Sequence, residues 1–316
     1  MIRDRRKGFK KGLDSPAMFE RPIAASPGLL VRLGLVFGLS AALGSETGVR
    51  AQAPAAAAPP VAFAPPAAEE LQAITENGRR IAAYHEAVAK TRAALAPQHP
   101  EVAEARAVVV DRNGVPHVSY FLRDETGPQA RWVLIADAIY QARAGEVGAT
   151  VFPDRAKAPP ADAVTHLRAI EAARAGVTTK AGGPAGPWDE AVFKEKTGGA
   201  YVVYLQTHAA SNTTRFGADA RLRISGDGMQ VGEMTVLHGE MTTVPVPVRA
   251  GASPTLHSHA QGDLPTDTDV AVVLDHPTIA PHLILTPHHM FRIESDGRVS
   301  YLGPNAVPPA ASGGGR

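Results

Sequence analysis

The chain has 316 residues, 32 Lys/Arg against 31 Asp/Glu, 12 histidines and no cysteine. The absence of cysteine excludes a disulfide scaffold, a thiolate nucleophile and a Cys-ligated metal. A net charge of +1, with no Lys/Arg cluster interleaved with aromatics, points away from nucleic acid as a partner.

Residues 1–53 have the order of an export signal. A basic stretch (Arg3, Arg5, Arg6, Lys7, Lys10, Lys11) precedes the apolar run 33–43 and the small-x-small site Ala51-Gln-Ala53. The run is too short for a stable membrane span, so none is expected after cleavage. This segment holds nine Lys/Arg and four Asp/Glu, so its removal turns +1 into −4. The mature chain is therefore slightly acidic, and its expected location is the periplasm or the exterior. Residues 54–68, rich in Pro and Ala, read as an extended linker.

Helical spacing of Leu71, Ile74, Ile81, Tyr84, Val88 and Leu95 predicts a helix over 69–95, which Asn77-Gly78 would interrupt. Strands follow at 107–110, 115–122 and 131–136, with Asp111-Arg-Asn-Gly114 as a turn, and then a helix at 161–175. Together, 69–175 form a small α+β region. The segment 176–187, with four glycines and two prolines, reads as a linker and domain boundary. A strand-rich α+β domain over 188–302 comes next. It has strands at 201–205 and 220–224, and a pair at 230–237 and 242–248 turning at Gly239. Beyond a helix at 266–274, strands follow at 282–286, 289–294 and 298–302. Residues 303–316 form a tail.

Seven of the twelve histidines lie between His238 and His289. His257 and His259 are one residue apart, so an extended strand places both imidazoles on one face. Thr266 is a natural cap for the following helix, and Asp269 then falls in its first turn. Two imidazoles, a carboxylate and a water would make a tetrahedral zinc site with an open position, acidifying the water. Upstream candidates for a general base are Glu195, Glu233 and Glu240. Glu195 is preferred because it stands just before Thr197-Gly-Gly199 and a core strand. His238 is a spare ligand or a solvent-facing residue. His282, His288 and His289 read as surface or turn histidines, with outer ligands of the same site as the alternative, and His85, His99, His117, His166, His208 and His276 as ordinary ones. Neither Gly-x-Ser-x-Gly nor His-Glu-x-x-His occurs.

This stretch resembles the JAB/JAMM (MPN-type) metallopeptidase domain, over about residues 190–302. The resemblance implies His257, His259 and Asp269 as zinc ligands, Thr266 at the oxyanion-stabilising Ser position and Glu195 as base. It departs in spacing, with six residues between His259 and Thr266 where the family has seven. The segments 201–205, 217–228 and 264–270 are also similar to a loosely defined group of exported bacterial proteins in which paired histidines are not fixed. Two functions are consistent with these readings: a structural or binding role in the cell envelope with a divalent-metal site, or zinc-dependent hydrolysis of peptide or amide bonds outside the cytoplasm. A peptide or cell-wall-derived ligand is the expected partner.

Overall fold

A computed structural model describes residues 63–305, except 127–130, 153–157, 182–186, 208–211, 239–240 and 250–252. The chain divides into two units, Met1–Pro59 and Pro60–Arg316. The first, with the expected export signal, lies outside the described residues, as does the tail from 306. The second unit is a mixed α+β structure.

Its elements run α1 (Ala68–Leu95), α2 (Glu101–Glu104), β1 (Arg106–Arg112), β2 (Val115–Asp124), β3 (Arg131–Gln141), β4 (Glu146–Val151) and α3 (Ala161–Ala181). Next are β5 (Trp188–Lys194), β6 (Tyr201–Thr207), β7 (Thr213–Phe216), β8 (Ala220–Ile224), β9 (Val231–Val236), β10 (Thr242–Pro245) and β11 (Thr255–Ser258). Helix α4 (Asp267–Asp275), a 3-10 turn and β12 (His282–Leu285), β13 (His289–Ile293) and β14 (Val299–Pro304) complete it.

The first four strands form an antiparallel meander. Asn113 and Gly114 turn it with φ of 59° and 80°, the positive pair that a two-residue hairpin requires. A second antiparallel sheet has the order β5-β6-β8-β9, and β7 pairs with β10. The third, β11-β12-β13-β14, is antiparallel except that β11 runs parallel to β12. The expected pairing of 230–237 with 242–248 does not form. Strand β9 instead returns along β8 through the turn at 225–228, and β10 goes to β7.

One core gathers Ile81 and Tyr84 of α1, Leu134 and Phe121 of the first sheet, Leu167 and Ile170 of α3, and Leu205 and Leu222 of the second sheet. It therefore joins residues on both sides of 176–187, and α3 itself continues to Ala181. A second core packs Val270 and Val273 of α4 against Ile284, Phe291 and Ile293, with Leu71 and Ile74 of α1 on its flank.

Helix α1 passes unbroken through Asn77-Gly78. The glycine is there because α4 crosses at that point. A Cβ on Gly78 would sit 2.4 Å from Val270 Cβ and 2.8 Å from the Asp267 carbonyl. The interruption signal is in fact a crossing point.

Candidate metal centre

Three elements deliver one cluster of four residues. His238 follows β9, where the Leu237 amide donates to the Asp219 carbonyl at 3.0 Å. His257 is on β11, and His259 continues its line, its amide donating to the Leu285 carbonyl at 2.7 Å. Asp269 lies in the first turn of α4. His257 and His259 face the same way, as period-two geometry demands.

The cap of α4 fixes the carboxylate. The Asp269 amide donates to Thr266 Oγ1 at 3.2 Å, and the Thr266 amide donates to Asp269 Oδ2 at 2.7 Å, a reciprocal capping box. Asp269 Oδ1 is left buried without a hydrogen-bond partner. It lies 3.2 Å from His238 Nε2 and 3.3 Å from His257 Nε2, while Oδ2 lies 3.2 Å from His259 Nε2. His259 Nε2 is 2.9 Å from both His238 Nε2 and His257 Nε2. These separations approach the ~3.3 Å between ligand atoms of a tetrahedral ion with bonds near 2.0 Å. All four residues are buried, and Asp269 is 0% exposed.

The outer contacts set the tautomers. His238 Nδ1–H donates to Asp219 Oδ1 at 2.6 Å, and His259 Nδ1–H to the Leu264 carbonyl at 3.1 Å. His257 Nδ1–H donates to His282 Nε2 at 2.7 Å. His282 Nδ1–H donates to Thr255 Oγ1 at 2.6 Å, whose hydroxyl donates to the Ile279 carbonyl at 2.6 Å. Because that last carbonyl can only accept, the whole chain has one direction. Phe216 stacks on His257 and His282 with centroids 4.3 and 4.5 Å away, and Thr268 Oγ1 donates to Asp219 Oδ2.

With every Nδ1 used outward, three bare Nε2 lone pairs and a carboxylate converge with no donor among them. Such a set calls for a cation. His238, His257, His259 and Asp269 lie close enough to hold a metal ion, and the orphaned Asp269 Oδ1 fits that role. A proton is the alternative. Burial alone would depress His238, but the Asp269 charge and hydrogen bonds to Asp219 and Asp269 raise it to about 10. Burial opposes ionisation of Asp269, yet the three imidazoles hold it well below the usual carboxylate range. Burial pushes His282 down to about 3, so it stays neutral between His257 and Thr255.

The structure thus brings together His257, His259 and Asp269, the three ligands named from sequence. Thr266 supplies the cap and its Oγ1 also meets Thr268 Oγ1 at 2.8 Å. Glu195 is not brought to the cluster. Both of its oxygens pair with Arg223, at 2.9 and 2.8 Å. Arg223 is four residues along the strand from Asp219, about 13 Å in extended chain. Glu195 stands beside a core strand, but its carboxylate is turned to Arg223 and not to the histidines. Glu233 lines the same cleft as Glu195, and Glu240 lies outside the described residues.

Two histidines expected at the surface are buried, His282 (0% exposed) and His289 (4%). His288 is partly exposed and pairs with Asp263 at 2.7 Å. His238, weighed only as a spare, is a full member, because β8–β9 pairing carries it back beside Asp219. Comparison with protein-family models, curated proteins and solved structures returns no match.

Proposed function

We propose that this is an exported protein of the cell envelope, structural or ligand-binding, whose buried centre holds one divalent transition-metal ion in a structural role. The observation that carries the reading is His238. It fills the fourth position, where a hydrolytic site would keep water. The adjoining cavity that touches Asp269 has a volume of only about 10 Å³, room for about one water and no substrate. Three imidazoles and a carboxylate suit zinc, with other imidazole-favouring ions as competitors. When bound, the ion supplies the positive charge that the converging acceptors need. The chain's own residues do the rest: Asp219, Leu264 and His282 orient the rings, and Thr266 holds the carboxylate. Export rests on the pattern of residues 1–53.

The test is metal analysis of the purified mature protein with His257→Ala and His259→Ala as controls. One equivalent of metal in the wild type, lost in both variants, is expected; a metal-free wild type would overturn the reading. A second reading, a JAB/JAMM-like zinc hydrolase of peptide or amide bonds, is favoured by His257 and His259 on a strand with Asp269 on the next helix. It requires His238 to yield its position and a base other than Glu195. Peptide hydrolysis by the metal-loaded protein, at a rate unchanged in Glu195→Gln, would support that alternative.

A further inference from the structure

We infer that a second site, separate from the metal centre, binds a small anionic ligand bearing a carboxylate or phosphate group. It is a cleft of about 710 Å³ between α1 and the outer face of the second sheet, within the ~300–1,000 Å³ typical of small-molecule sites. The face is defined by alternation on β8. Leu222 turns inward to Gly176 of α3, whereas Arg221 and Arg223 point to the opposite, exposed face. Three further cations, Arg80, Lys194 and Lys196, line the cleft, against two carboxylates, Glu195 and Glu233. The lining thus carries a net +3, on a mature chain that the export reading makes acidic overall.

The pairing within the cleft is as informative as the count. Glu195 is consumed by Arg223, and Arg221 meets Asp267 only at 3.8 Å. Arg80, Lys194 and Lys196 have no carboxylate partner among the described residues; Arg80 instead lies over the Phe193 ring, 4.5 Å from its centroid. Three uncompensated cations on one concave surface concentrate positive potential where a small anion fits. Thr197 and Thr235 add hydroxyls to the wall, suited to the remaining oxygens of such a group. Phe193 and Val202 supply the apolar contact for its carbon skeleton.

Titration calorimetry at low salt with citrate and with inorganic phosphate tests the site, with glucose as the neutral control. Binding of either anion is expected, weakened about tenfold or more in Lys194→Ala/Lys196→Ala and abolished in Lys196→Glu/Arg80→Ala. Preference for citrate assigns a carboxylate ligand, and preference for phosphate a phosphorylated one. All three substituted positions are exposed and none belongs to the histidine-aspartate cluster, so metal content should not change. No binding of either anion at about 10 mM, or binding unaffected by both variants, would overturn the inference. Metal content is read in the same samples, so the two proposals fail separately.

Discussion

Asp219 never touches the converging point, yet it sets which nitrogen of His238 faces it. Replacing it with Asn should weaken metal binding about 10–100-fold, as loss of an outer partner does elsewhere. The measurement is competition with a chromophoric chelator. His282→Ala should fall in the same range, because His257 loses the acceptor that fixes its tautomer and the ring against which Phe216 also stacks. Acid should release the ion, since each ligand imidazole must be neutral to bind. The expected result is occupancy that falls as the pH is lowered from about 8, with the raised His238 the first ring to take up a proton. The histidine pair and Asp269 were readable because strand period and helix capping are local. His238 was not, because its place depends on a strand pairing that brings residues 219 and 238 together. The turn signal at Gly239 pointed to a different hairpin.

At the scale of elements, α4 is held from two sides. Its first turn carries Asp269 toward the imidazoles of His238, His257 and His259 and Asp267 toward Tyr204, whose hydroxyl donates to Asp267 Oδ2 at 2.6 Å. Its back lies on Gly78 of α1. A methyl group there cannot be absorbed without moving α4, so Gly78→Ala should cost about 1–3 kcal/mol or more in stability. It should also reduce metal affinity, a pairing of effects that equilibrium unfolding and chelator competition would read together. At the other end of α4, His85 Nδ1 meets Asp275 Oδ2 at 2.7 Å. Burial alone would lower the His85 pKa, but the bond to Asp275 and its charge raise it above the ordinary value. A raised histidine stabilises the fold fully below the unfolded pKa, near 6.5, and loses that contribution as pH rises through the folded value. Asp275→Asn should therefore flatten the fall in melting temperature on the alkaline side of pH 6.5. An unchanged slope would mean that the pair contributes nothing to the pH dependence.

Across the whole molecule, the α+β class, both long helices and most strands were legible from periodicity and turn residues. Strands β4, β5 and β7 were missed, being short, or partly exposed, or next to Gly/Pro-rich sequence. The division at 176–187 followed a true composition break, but composition says nothing of what packs across it. Here Ile81, Leu167 and Leu222 lie in one core. Equilibrium unfolding followed by the fluorescence of Trp132 and Trp188 and by far-ultraviolet dichroism should accordingly give coincident transitions for the 69–302 region. Two separated transitions would indicate independent halves.

Helix α1 also reaches the far end of the sequence. Its Thr75 hydroxyl accepts from the Val299 amide at 3.3 Å, and the Arg79 guanidinium donates to the Asp296 carbonyl at 2.8 and 3.0 Å. These partners are more than 200 residues apart in the chain. The N-terminal part of the first helix, around Thr75 and Arg79, therefore closes fully only once the β13–β14 hairpin exists, and non-local closure of this kind is slow. A chain that lacked 289–304 would leave the second core, around α4 and the start of α1, open and protease-sensitive. Closure of the second core thus waits on the strands that carry Phe291, Ile293 and Val299.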